Sequence, residues 1–357
     1  MPTSPTSRFR FLALAALLAL ASASAQPVPL DSLARAAAEA DGLPSLVVGV
    51  VAGGERHVVG VGTVGGAAPD AHTPYEIGSV SKVLTALALA DAVTDGEVEL
   101  TTPVADLLPD TLEVAASAAG PYRLVDLATH TSGLPRLPGD LFTAPGFAMA
   151  DPYTHYGADR LLAFLERAEV ETAPGETYGY SNLGAGLLGY ALARRDGTGY
   201  AETVRRRVLA PLGLDATTLD APEGLAPAHG ADGAPVPPWP WTAATAGAGG
   251  WRSTASDLLT LAEAALAPSA SALPASLALS LDPQIRARDD VAVGLGWHLS
   301  PLDLRTMAWH NGMVGGSASF LGVVPEAGVA VVVLTNRQAS VDALGVEVLR
   351  RLLAREE

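Results

Sequence analysis

The sequence predicts an α+β fold (an α/β sandwich): an antiparallel sheet built from both termini and flanked by helices, with an inserted, mainly helical subdomain. Three observations carry this. Strand-like apolar runs lie near the two ends, between residues 45 and 63 and between 306 and 335. The long text between them repeats apolar residues at helical spacing. The chain has 357 residues, 49% hydrophobic and 17% charged, enough to bury a core without covalent staples.

Residues 1–25 read as a secretory leader. Arg8 and Arg10 precede the apolar run from Phe11 to Ala21, and Ala23-Ser24-Ala25 is a small-residue cleavage site before Gln26. The run is shorter than the ~20 residues a membrane span needs. Cleavage after Ala25 is therefore expected, giving a secreted or periplasmic protein with no stable membrane anchor. Leu30, Leu33, Ala34, Ala37 and Ala38 mark a helix over 30–40, which Asp41-Gly42 ends. Runs 45–52 and 57–63 make a hairpin across Gly53-Gly54. Helices follow at 79–93, 158–168, 183–195, 200–209 and 255–266. The Ala/Pro/Gly-rich stretch 221–250, with Trp239, Trp241 and neighbouring Trp251, reads as a long ordered loop of the kind that often carries function. Strands at 306–310, 317–324 and 329–335 and a helix at 341–355 close the chain. Residues 26–357 then form one domain, its sheet part at about 26–75 and 285–357 and its helical part at about 76–284.

Composition removes several chemistries. With no cysteine there is no disulfide, thiol nucleophile or Cys-held metal. A formal net charge of −16 argues against nucleic acid and anionic membranes as partners. The seven histidines show no H-x-H or H-x-x-x-H pair, so no metal site is expected. Gly60-Val61-Gly62-Thr63-Val64-Gly65 fits a dinucleotide fingerprint, but Gly66-Ala67-Ala68-Pro69 follows it instead of a helix, and no cofactor is expected. Of the 22 basic residues 21 are arginine; the one lysine is Lys82.

Three short motifs could carry chemistry. Ser79-Val80-Ser81-Lys82 opens a helix, and positions i and i+3 share a face, so hydroxyl and amine can meet. A hydroxyl needs a base before it attacks; a desolvated amine can serve, and a guanidinium cannot. Taken alone, the motif could also be a helix cap beside a solvated lysine. Ser81 points elsewhere on the helix. In Tyr180-Ser181-Asn182 a phenol can relay a proton and an amide can hold a substrate carbonyl. Equally, Asn182 could cap the next helix and Tyr180 lie in the core. His310-Asn311-Gly312 ends a strand. It is either a hairpin turn or an exposed edge where Gly312 admits a substrate backbone and His310 offers a donor or cation.

In this order the motifs resemble the S-x-x-K, S-D-N and K-T-G set of penicillin-binding proteins and β-lactamases. The Y-S-N and H-N-G forms are similar to the class C β-lactamase, D-alanyl-D-alanine carboxypeptidase and esterase branch of the serine β-lactamase-like superfamily. Ile77-Gly78 before Ser79, Thr129-His130-Thr131-Ser132-Gly133-Leu134-Pro135, Gly294-Leu295-Gly296-Trp297 and the run 329–335 with Asn336 agree, so the resemblance covers about residues 30–355. It implies the β-lactamase/transpeptidase-like fold and no cofactor or metal. Ser79 would be the acylated nucleophile, Lys82 the base or its tuner, and Tyr180 the partner that protonates the leaving group. Asn182, His310, Asn311 and Gly312 would bind substrate, and the backbone N–H groups of Ser79 and Met313 would form the oxyanion hole. His130 would be structural. His310 stands where most β-lactamases keep lysine, and Asn311 where they keep Thr or Ser. An exposed imidazole at 310 would titrate near ~6.5 and hold a substrate carboxylate better as pH falls. The implied activity is a secreted serine hydrolase acting on a small-molecule ester, a peptide of D-amino acids or a β-lactam. The rivals are a true class C-like β-lactamase and a non-catalytic penicillin-recognising sensor.

The lone lysine gives a direct test. Lys82→Arg abolishes turnover, because arginine stays charged at any working pH. Circular dichroism and steady-state rates check it; retention of more than a few per cent of kcat shows that the amine is not the base.

Overall fold

The structure is a computed structural model that describes residues 28–114, 120–168, 170 and 172–355. The expected leader, residues 1–25, lies outside them. Ten strands are present among the described residues: β1 (Ser45–Ala52), β2 (Glu55–Gly62), β3 (Tyr75–Glu76), β4 (Arg252–Ser253), β5 (Ile285–Arg288), β6 (Val291–Val293), β7 (His298–Leu302), β8 (Arg305–Met313), β9 (Ala318–Val324) and β10 (Val329–Thr335). Eight form one antiparallel sheet in the order β2-β1-β10-β9-β8-β7-β6-β5, and β3 pairs with β4. The two ends of the chain meet where β1 pairs with β10, Leu46 opposite Thr335 and Val51 opposite Ala330.

The alternation of a strand decides which face each valine covers. Leu46, Val48 and Val50 join the cluster beneath the terminal helices Leu30–Ala40 and Asp342–Leu353. Val47 and Val51 point the other way, into the larger core under the helix Ala255–Leu266. The sheet thus separates two apolar layers, as expected for its α+β class. Strands β5, β6 and β7 were not expected from the sequence. They are short, two of them carry polar or exposed residues, and β7 contains Pro301, so the alternation signal is weak.

Two helices position the site. Ser81–Thr94 is buried on every side from Ser81 to Ala92, the pattern of a central helix rather than a surface one. A short 3-10 turn, Gly78–Val80, leads into it. Asn182–Asp196 is capped by Ser181, whose Oγ accepts the Gly184 N–H at 2.9 Å. The capping role considered for Asn182 therefore belongs to its neighbour, and Asn182 is free to turn inward. This helix runs against the short helix Ala246–Gly249 with almost no side chain between them: a Cβ on Gly186 would stand 2.3 Å from the Ala244 carbonyl oxygen.

The 221–250 stretch is ordered by polar ties. Asn336 accepts from the Ser45 N–H at 2.9 Å and donates to the Pro227 carbonyl at 2.7 Å. Arg252, paired in the interior with Glu76, donates to the Trp239 carbonyl at 2.9 Å. Trp241 stacks on Tyr153 with ring centroids 4.7 Å apart. Among the described residues no helix is long and apolar enough to cross a membrane.

The helix contact at Gly186 yields a prediction. Gly186→Ala lowers the urea midpoint with little change in m, a loss of about 1–3 kcal/mol from overpacking. A variant as stable as the wild type would show that the two backbones do not touch there.

Candidate active site

Ser79 sits half-buried in the 3-10 turn that feeds the buried helix. That turn is pressed against the end of β8. Gly78 has φ +49°, and a Cβ there would stand 2.7 Å from Met313 N. A Cβ on Gly312 would stand 2.0 Å from the Ile77 carbonyl oxygen and 2.9 Å from Ser79 N. The space that Gly312 leaves is thus taken by the protein's own backbone, not kept for a substrate. The same contact brings the amide nitrogens of Ser79 and Met313 to one place.

Lys82 lies one turn further on, 3% exposed. Its Nζ is 3.0 Å from Ser79 Oγ, and it donates to Asn182 Oδ1 at 2.8 Å and the Ala248 carbonyl at 2.6 Å. Burial, and secondarily the positive Arg136, hold its pKa well below the ordinary lysine range. A neutral amine has two N–H groups and a lone pair. The two acceptor oxygens take the N–H groups, and the lone pair is left for the Ser79 hydroxyl. Ser81 points away, its Oγ accepting from the Trp251 N–H at 3.1 Å.

Tyr180 completes the cluster, with Lys82 Nζ 4.9 Å from its ring centre. Burial raises its pKa, only partly offset by hydrogen bonding with Ser79 and by Arg136. The phenol therefore keeps its proton. His130, in left-handed backbone at φ 61°, accepts the Ser181 N–H on Nδ1 at 3.1 Å, accepts the Gly179 N–H on its carbonyl at 2.7 Å, and lies 4.4 Å from the Tyr180 ring. These contacts fit the structural part expected of it.

The third motif needs two corrections. His310-Asn311-Gly312 is not a turn: it continues β8, with Asn311 opposite Phe320 and Gly312 opposite Ser319 on β9. Beyond Trp309 it has no partner on β7, so it is a local edge. His310, however, is 1% exposed and close to Tyr180 and His298. Burial first, then the charges of its neighbours, hold its pKa well below the imidazole range. It is not the exposed, titrating cation the sequence suggested. Asn311 does not face the cleft either. Successive side chains alternate faces, so it points to the far side of the sheet and donates to Asp342 Oδ2 at 2.6 Å, at the start of the last helix.

The structure adds residues that were not singled out. His298 follows the Gly294–Trp297 motif; its Nε2 is 3.0 Å from the Tyr178 hydroxyl and its ring stacks 4.9 Å from Trp309. Arg136 follows Leu134-Pro135, with its guanidinium 5.0 Å from the Tyr180 ring centre. Both stand directly after motifs already noted, and adjacency was the available signal. Three histidines meet here although no spacing joined them. Their partners differ, and no group of described residues is arranged to hold a metal ion.

A sheet–helix frame with a serine and a desolvated lysine one turn apart defines a serine hydrolase of the β-lactamase type. The chain matches the Beta-lactamase family over residues 30–355 and belongs to that family. It is similar to penicillin-binding protein 4 of Amycolatopsis lactamdurans, 30% identical over 320 residues that cover 82% of this chain and 81% of that one. It is also similar to the D-alanyl-D-alanine-carboxypeptidase/endopeptidase AmpH of Escherichia coli K12, 26% identical over 75% of this chain and 72% of the relative. A class C β-lactamase from Rhodobacter sphaeroides shares the fold, with TM-score 0.78, 24% identity and coverage of 92% and 99%.

The buried imidazoles predict an acid-side loss of stability. Burial, with the charges of Arg288 and Lys82, pushes His298 down to about 4. The unfolded chain takes up this proton near ~6.5 and the folded chain does not, so the contribution is whole above that pH and shrinks as pH falls toward 4. His298→Gln removes the part of the dependence that His298 contributes, while that of His130 and His310 remains. The stability advantage of wild type over variant falls by about 1 kcal/mol between pH 7 and 5.5, measured by urea unfolding; a constant difference would show that His298 titrates alike in both states.

Proposed function

We propose that the protein hydrolyses an ester or a D-amino-acid amide through an acyl-enzyme on Ser79. The observation that carries this is the 3.0 Å approach of a buried Lys82 amine to Ser79 Oγ, with its other two directions occupied by oxygen acceptors. Lys82 takes the Ser79 proton as Oγ attacks the carbonyl carbon. The backbone N–H groups of Ser79 and Met313 receive the developing oxyanion, a contribution whose loss typically costs about 10²–10³ in rate. Burial favours the uncharged form of both titrating groups, the amine for Lys82 and the phenol for Tyr180. That supports Lys82 as the base and Tyr180 as the donor to the leaving group. Lys82 passes the Ser79 proton to Tyr180 as Tyr180 protonates the leaving group; water then attacks the acyl carbon, gives one proton to the Lys82 amine, and Lys82 returns it to Ser79 Oγ as the acyl bond breaks. Asn182 orients Lys82 through Oδ1 and is half-buried at the cleft, where its amide group can meet the substrate.

The buried His310, held below the imidazole range, and the turned-away Asn311 leave the site end of β8, residues 310–312, without a cation or hydroxyl for a β-lactam carboxylate. This favours an ester or peptide over efficient β-lactam hydrolysis. The leader at 1–25, cleaved after Ala25, supports action outside the cytoplasmic membrane.

A fluorophosphonate adds covalently to Ser79, read by intact mass and peptide mapping, and Ser79→Ala is inert. Modification of Ser81 or Ser181 instead sinks the assignment. Rates on p-nitrophenyl esters, D-alanyl-D-alanine peptides and nitrocefin rank the substrate classes, with nitrocefin slowest.

A further inference from the structure

The site described above has no permanent positive charge in its interior. Burial favours neutral Lys82, and His130, His298 and His310 are all held below the imidazole range. One permanent cation does touch it. Arg136 is exposed, and its guanidinium lies over the ring of Tyr180. Its backbone is fixed, because the Arg136 carbonyl accepts the N–H groups of Asn182 at 2.9 Å and Leu183 at 3.2 Å. The side chain is thus presented at the rim by the same residues that build the cleft.

Arg136 makes no ion pair with any described residue. Other arginines in this chain of net charge −16 also lack a carboxylate partner; what sets Arg136 apart among the described residues is that its guanidinium lies over the ring of a site residue. Arg207 alone contacts Asp91, Glu97 and Asp196, and Arg35, Arg56, Arg123, Arg195 and Arg205 each hold a carboxylate. Stacking on an aromatic ring fixes the guanidinium plane and leaves its N–H edge open. That edge matches a carboxylate in two-point contact. Arg288, at the free edge of the sheet on β5, adds its charge at Tyr178 and His298 from the other side.

We infer that Arg136 is an anion-binding residue at the mouth of the site, receiving a carboxylate of the substrate in the place of the charge that His310 lacks. This rests on the acyl-transfer reading of Ser79. It makes the preferred substrate an anionic ester or a peptide with a free carboxylate. Arg136 takes no part in the bond-making steps; it selects and orients.

Two substrate pairs test it. Mono-p-nitrophenyl succinate against p-nitrophenyl butyrate places the carboxylate on the acyl side. 3-Carboxyphenyl butyrate against phenyl butyrate places it on the leaving group. In Arg136→Gln the anionic-to-neutral ratio of kcat/KM falls about tenfold for at least one pair, the size of one exposed charge-assisted contact. Arg136→Lys keeps the charge but loses the two-point contact, so its ratio falls between those of wild type and Arg136→Gln. Raising the salt lowers the ratio in wild type but not in Arg136→Gln. If Arg136 only props Tyr180, all rates fall together, both ratios stay constant, and the inference is overturned. Acylation of Ser79, followed by mass, separates the two failures. Acylated Ser79 with constant ratios sinks this inference alone. If none of the esters acylates Ser79, the acyl-transfer reading fails and takes this inference with it.

Discussion

Lys82 is buried with three oxygen neighbours, and no described carboxylate pairs with it. An ammonium in that position would lose its hydration without gaining a counter-charge, at a cost of several kcal/mol. Releasing the proton removes the penalty, so the surroundings favour the amine and hold its pKa well below the ordinary lysine range. The rest of the structure serves that condition. The helix that carries Lys82 is buried on every side, and the glycines of Asn182–Asp196 let Ala246–Gly249 close over it. The oxygens of Asn182 and Ala248 then fix the direction of the remaining lone pair.

A second constraint is made by backbone rather than side chains. The turn at Gly78–Ser79 and the strand end at Gly312–Met313 touch so closely that neither glycine admits a Cβ. Ser319 Oγ adds a 2.7 Å bond to the Ile77 carbonyl on the same seam. This seam joins the helical part of the chain to the last strands. It aligns two amide nitrogens beside Ser79, while the Lys82 contacts hold its amine against the Ser79 hydroxyl. Ser79, Lys82 and the amide pair are therefore tied to one junction, and a shift of β8 would be felt by all three.

Much of this was legible in the text of the chain, and the failures have physical causes. The strands at Ser45–Ala52 and Val329–Thr335 and the helix Ala255–Leu266 were read to their ends, because valine runs and periodic leucines are strong signals. The serine–lysine pair was visible because composition had removed every other lysine. The His310 environment was not visible. A strand end looks exposed in sequence, yet His298 on the neighbouring β7 and Tyr180 from the helical part cover it. Asn311 could have been placed correctly by carrying strand alternation from His310 through the motif. The gathering of His130, His298 and His310 joins three distant segments, which local spacing does not report.

Charge in this molecule is sorted by depth. The catalytic interior holds an amine, phenols and imidazoles, all pressed toward their neutral forms by burial. Lys82 itself lowers the pKa of each of the three histidines, so a proton on the amine and protons on the rings exclude one another. In the acyl transfer proposed for this site one proton passes through Lys82. A neutral shell lets that single charge form and leave without competing charges nearby. A lysine at 310 would put a second ammonium in the same dry volume and oppose the first. Histidine there keeps the interior neutral, and permanent positive charge is left to the rim, where water shares the cost of holding it.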